Sequence, residues 1–253
     1  MSDLSVQPGA DLNPGLSEWQ RVVNTFTAPS KTFLDIKSGH RSWWMPFLIV
    51  LLTGAFLFTA ITKQVTWKTV FDNQQRAMPE YAKRMVENMP PEQRAAQEAR
   101  GPVTQEITWA LSPVGLLLMN FIAALVLWPT INFGFGGKAT LGSAFAVTMY
   151  STLVLWPVKL LLGGIALFAG ATPEAFNISN VAGTNFGYFM GQQTGVVYVL
   201  ATSMDVLVIW NLAVTAIGLA TVAGVKRSSG YIAVFGWWVL ATLVMVGFSA
   251  AFS

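Results

Sequence analysis

Lys159 and Asp205 are the two formal charges that interrupt apolar runs in the last two-thirds of the 253-residue chain. Between Glu106 and Lys226 the other charged residues are Lys138 and Glu174, and both sit among Gly, Pro, Asn and Thr. A charge at the centre of an apolar membrane helix costs about 2.5–3.5 kcal/mol on insertion scales, so it normally pairs or faces a polar path. Three readings are open for the two residues. They can fix the register of two helices, they can line a ligand, ion or proton pathway, or Lys159 can snorkel outward without Asp205. Asn120 and Asn211 add neutral polar groups within apolar sequence, of the kind that hydrogen-bonds between helices.

The rest of the chain is poor in reactive groups. It has no cysteine and one histidine, His40, so a metal site has almost nothing to be built from. No Gly-x-Ser-x-Gly or His-Glu-x-x-His pattern occurs, and no base stands beside a nucleophile. The run Gly134-Phe135-Gly136-Gly137-Lys138-Ala139-Thr140 has the outline of a phosphate loop. It fails in detail: Asn132 stands where the first glycine is needed, and Ala139 where a Ser or Thr must follow the lysine. A tight turn between two apolar helices is the expectation there. We therefore expect a protein that is not an enzyme, with no cofactor and no metal. The net charge of +3 is spread along the chain and gives no case for nucleic acid.

The elements that position these residues belong to a membrane protein. Hydrophobic residues make up 53% of the chain and charged residues 11%, against about 25% charged in an average soluble domain. Stretches of about 20 apolar residues predict five spanning helices, over residues 43–61, 109–133, 141–168, 196–225 and 231–252. Pro157 offers a bend within the third. The expected fold is all-α and polytopic, with a cytoplasmic amphipathic segment at 1–42 and a five-helix membrane domain at 43–253. In the first segment Leu16, Trp19, Val22, Val23 and Phe26 recur at helical spacing, which suits either an interfacial helix or one packed on the protein itself. The connection 62–108 predicts an extramembrane helical hairpin, with Pro79 and Pro91 in first turns and Gly101-Pro102 as a stop.

Gly183, Gly187, Gly191 and Gly195 repeat every fourth residue before the fourth span. On a helix they would form a close-packing stripe suited to self-contact; the poor helix propensity of glycine makes a loop or re-entrant segment equal to it. The pentapeptide Leu125-Val126-Leu127-Trp128-Pro129 returns as Leu153-Val154-Leu155-Trp156-Pro157, too short to define a repeat.

Orientation follows from the short basic flanks. Arg21, Lys31, Lys37 and Arg41 precede the first span, Lys138 lies in the second-to-third turn, and Lys226 and Arg227 lie in the fourth-to-fifth. Those positions predict a cytoplasmic N-terminus and an outer C-terminus, although the long first connection carries seven basic residues of its own beside six acids. At 1.5 Å per residue, Lys159 and Asp205 then lie about 27 and about 30 Å from the inner ends of their helices. Similar depth on antiparallel neighbours is compatible with a salt bridge.

Several segments resemble the Yip family, five-span membrane proteins whose eukaryotic members interact with Rab GTPases. Pro29-x-x-Thr32-Phe33 is similar to the family's entry segment. Gly136-Gly137-Lys138-Ala139 with Phe145-Ala146-Val147 and Tyr150 is similar to its second-to-third turn. The strongest likeness runs from Asp205-Val206-Leu207-Val208-Ile209-Trp210-Asn211-Leu212 into Ile217-Gly218-Leu219-Ala220 and Lys226-Arg227. The resemblance implies five helices and a cytoplasmic N-terminus. The chain lacks the Asp-Leu-Tyr-Gly-Pro motif of the eukaryotic members and has a longer first connection, which points to a bacterial relative in a cytoplasmic membrane. The function expected is a scaffold or accessory subunit of an export or trafficking complex, with the bilayer and a protein partner, or a second copy, around it. The alternative is a transporter or channel-like protein binding a small molecule, ion or lipid near Lys159 and Asp205.

Overall fold

Among the described residues of the computed structural model, five helical stretches are long and apolar enough to cross a membrane: Trp44–Gln64, Ser112–Phe135, Leu141–Phe168, Val206–Ala223 and Arg227–Ala251. The structure describes residues 15–190 and 195–251. Among these there is no strand, only an isolated antiparallel bridge between Asn185 and Asp205.

The chain enters through α1 (Glu18–Thr27) and α2 (Pro29–Lys37). A capping box joins Ser17 and Gln20 at the start of α1, and Pro29 opens α2 where its missing N–H costs nothing. Both helices pack on the bundle. Phe33 and Ile36 are fully buried and, with Val22, belong to the same core as Val147, Tyr150 and Leu219. The expected amphipathic segment is therefore part of the bundle's near face, while Trp19, Val23 and Leu34 point outward.

The first span, α3 (Trp44–Gln64), leads to the far face, where α4 (Trp67–Arg76), α5 (Glu80–Glu87) and α6 (Pro91–Ala110) form the helical insertion. Asn73 of α4 ties the insertion to the far loop (residues 169–190) through hydrogen bonds to the carbonyls of Pro173 and Phe176, both 2.8 Å. Two sequence expectations fail here. Pro79 is the N-cap of α5 rather than a first-turn residue, and α6 continues through Pro102 instead of stopping there. Pro102 leaves the carbonyl of Glu98 without an N–H, but Glu98 is exposed, so water can satisfy it.

The second span, α7 (Ser112–Phe135), ends at Gly136 in the left-handed region, φ 70°. The glycine-rich run after it is a turn. Its Ala139 carbonyl accepts from Trp128 Nε1 at 2.9 Å and Asn132 Nδ2 at 2.8 Å, and Lys138 N donates to the Ala223 carbonyl. Thr140 then caps α8 (Leu141–Ser151). A 3-10 turn at Thr152–Val154 separates α8 from α9 (Trp156–Phe168). Pro157 contributes to the break, because it cannot donate to the carbonyl of Leu153 and its ring crowds that carbonyl.

The expected fourth span needs correction. Residues 196–225 do not make one helix but two, α10 (Val196–Ser203) and α11 (Val206–Ala223). Met204 and Asp205 leave helical geometry between them, and Asp205 is the N-cap of α11. The last span, α12 (Arg227–Ala251), packs on α11, α10 and α7. A Cβ on Gly230 would lie 2.2 Å from the Ala216 carbonyl oxygen, so only glycine lets the two backbones meet. Buried residues form two clusters. One joins α2, α7, α8, α11 and α12; the other joins α3, α4, α9 and the far loop around Phe176 and Val181.

Candidate functional site

Asp205 collects five hydrogen-bond donors. Its Oδ1 accepts the backbone N–H groups of Leu207 at 2.8 Å and Val208 at 3.2 Å, the first free amides of α11. Its Oδ2 accepts from Thr184 Oγ1 at 2.7 Å, Asn185 Nδ2 at 3.1 Å and Lys159 Nζ at 2.7 Å. The side chain is fully buried. The first turn of α11 supplies a positive dipole end on top of these bonds. Asn185 is held in turn by Asn180, at 2.8 Å and 3.2 Å. The corner between α10 and α11 is thus bonded to α9 and to the far loop through one carboxylate.

The structure brings Lys159 and Asp205 together, and it places them at a helix corner rather than on two continuous helices. Asn120 bridges α7 to the third span: Thr152 Oγ1 donates to its Oδ1 at 3.0 Å and Thr148 Oγ1 to its carbonyl at 3.2 Å. Asn211 stands half-buried on α11, where its carbonyl accepts from Thr215 and, among the described residues, its amide reaches no other helix. The glycines do not form a helical stripe. Gly183 lies in a bend, Gly187 in the 3-10 turn Phe186–Met190, and Gly195 at φ 101° before α10; Gly191 is outside the described residues. Repeated glycine and the pull of Asp205 on Thr184 and Asn185 favour the loop.

Lys159 also lines a cavity of about 350 Å³ between α3, α7, α9 and the far loop. Trp109, Leu116, Met119, Trp156 and Ile178 supply much of its apolar wall, and Asn120, Ser112 and Ser179 its other polar atoms. Among the described residues no three His, Asp or Glu side chains converge as metal ligands would.

A family model for the Yip1 domain matches residues 23–248. The chain belongs to the Yip1 family. No curated protein and no solved structure matches it. The Yip1 match begins within α1, ends within α12 and includes Lys159, Asp205, Asn120 and Asn211.

A second polar cluster in this Yip1 chain, which no sequence motif marks, lies between α1, α2 and α8. Arg21 is 6% exposed yet carries a charge into the core. Its Nε lies 3.0 Å from Asp35 Oδ2 and its Nη2 lies 3.4 Å from Glu18 Oε1. The contact to Asp35 is ionic rather than a directed hydrogen bond, since Nε donates to the Leu16 carbonyl. Arg21 Nη1 donates to Ser42 Oγ at 2.9 Å, and Tyr150 donates to Glu18 Oε2 at 2.8 Å. Ser42 Oγ also bonds Glu18 Oε1, and His40 Nδ1 faces Asp35 Oδ1 at 3.1 Å. These contacts clamp α1, α2 and the entry to α3 against α8. The signal was present: Arg21 sits beside Val22 on the face that α1 buries, three residues after Glu18.

Proposed function

We propose that the protein is a non-enzymatic membrane scaffold or accessory subunit, working in an export or membrane-trafficking complex. One observation carries this reading. The buried carboxylate of the bundle, Asp205, has its lone-pair sites filled by five donors from α9, α11 and the far loop. A carboxylate so occupied serves shape rather than chemistry. The outward surface is apolar. α12, with 25 residues, buries Gly230, Ala233, Val234 and Thr242, which leaves a long face for lipid or for another membrane helix. Membership of the Yip1 family supports the trafficking context. We place the N-terminus in the cytoplasm and the C-terminus outside a bacterial cytoplasmic membrane, because Lys31, Lys37, Arg41, Lys138, Lys226 and Arg227 flank the spans at the near face.

Site-specific photocrosslinking tests this. A photoreactive residue at exposed Leu243 of α12 or Met85 of α5 is expected to give one recurrent protein adduct, whose mass separates a second copy from a different partner. Absence of any protein adduct at both sites, together with solute flux by the reconstituted protein, overturns the scaffold.

A second reading, a transporter or channel-like protein with a site near Lys159 and Asp205, is favoured by the cavity that Lys159 lines. The substitution Lys159→Met separates the two. It abolishes uptake in a carrier and leaves the crosslink of a scaffold intact.

A further inference from the structure

Lys159 and Asp205 depend on each other unequally. Without Lys159, Asp205 keeps two backbone amides, a hydroxyl and a carboxamide as donors, and the dipole of α11 beneath it. Lys159 has three N–H donors, and among the described residues Asp205 is its one bonded acceptor. Two donors of an ammonium whose side chain is 16% exposed remain unspent at the edge of an apolar cleft. With Asp205 holding the third, those two N–H groups are open to the oxygen acceptors of a polar head.

The cleft itself says which kind. Its volume of about 350 Å³ lies in the range of roughly 300–1,000 Å³ typical of small-ligand sites. Its walls belong to membrane-spanning helices, and Met119 and Trp156 are also exposed on the outer surface of the bundle, where lipid stands. At one end it meets Trp109 and Ser112, where polar α6 gives way to apolar α7, and Ser179 of the far loop. Tryptophan at such a boundary marks headgroup level. Apolar walls reached from the bilayer, with one cation near the polar boundary, match an amphiphile with a negative head.

We propose that this cleft binds an anionic phospholipid of the surrounding bilayer, with an acyl chain against Leu116 and Met119 and the headgroup phosphate held by Lys159. The proposal gives the second functional reading its ligand class, yet it does not require transport, since a scaffold can hold the same lipid.

The test uses the full chain in phosphatidylcholine nanodiscs containing a minor fraction of phosphatidylglycerol. Lipids retained through detergent extraction are identified by native mass spectrometry. Wild type is expected to retain phosphatidylglycerol several-fold above its share of the disc. Lys159→Met is expected to remove that enrichment, and Lys159→Arg to keep it. Leu116→Trp, which fills the cleft and leaves the Lys159–Asp205 bond in place, is expected to remove it as well, and covers the case in which Lys159→Met does not fold. Equal retention of phosphatidylcholine, or unchanged enrichment in Leu116→Trp, overturns the proposal. So does full competition by inorganic phosphate, which would make the ligand a soluble anion. Retention without solute flux in proteoliposomes keeps the site and rejects the carrier; flux without retention keeps the carrier and rejects the site.

Discussion

Replacing Asp205 by Asn would set an amide N–H against donors already aimed at Oδ2, Thr184 Oγ1 at 2.7 Å and Asn185 Nδ2 at 3.1 Å, and would strand Lys159. Removing one partner of a buried pair costs about 3–5 kcal/mol. Lys159→Met loses one charged hydrogen bond, about 1.5–3 kcal/mol, and leaves Asp205 with four donors. Unfolding in detergent is therefore expected to show Asp205→Asn as the more damaging change, with the double variant milder than the sum of the two. Equal costs for the two single changes would contradict the unequal pairing. The pair was legible in sequence because a charge in apolar surroundings is conspicuous. The cap was not. Asp205 precedes an apolar run, as an N-cap should, but Val196 to Leu200 on its other side is equally apolar, so the break between two helices was hidden. Arg21, counted in sequence among the basic flanks, gave little sign of its burial: it lies in a polar stretch, and the contacts that bury it, with Asp35 and Tyr150, are distant in sequence.

Among the elements, α1 and α2 give the sharpest contrast between pattern and outcome. Helical spacing identified an apolar face, but spacing cannot say whether that face meets lipid or protein. Phe33 and Ile36 decide it, since both are fully buried in the main core. Phe33→Ala is expected to cost about 3–5 kcal/mol and to lower the unfolding temperature markedly. A peripheral interfacial helix would show almost no change. The third span was more readable. Pro157 marked a bend, and the 3-10 turn at Thr152–Val154 supplies it. Proline alone does not forecast the result, because Pro129 stands inside the uninterrupted α7 while Pro157 follows a break. The same five residues in two copies thus have different structures, so the pentapeptide is no structural repeat.

For the molecule as a whole, the described residues hold five helices long and apolar enough to cross a membrane, and one crossing by each would put Lys37 and Ala250 on opposite faces. Cysteine-free sequence makes this easy to examine: single cysteines at Lys37 and at Ala250 are expected to react with a membrane-impermeant maleimide from opposite sides of intact vesicles. Labelling of both from one side would remove one crossing from the count. Apolar runs made the number of spans and the helical class readable, whereas the division into a near-face and a far-face core depends on long-range packing that no local pattern encodes. The way α12 is held has a mechanical consequence. Gly230, Ala233 and Val234 fasten it to α11 at its near end, and farther along it bonds α7 through Trp237 and Thr130 and packs on α10. A chain pulled by its C-terminus would release the contacts of α12 with α10 first, then the Trp237 bond, and its near-end contact with α11 last. The load would then pass through the α11–α12 turn to α11, where five bonds converging on Asp205 make the last strong anchor before the helix leaves the bundle.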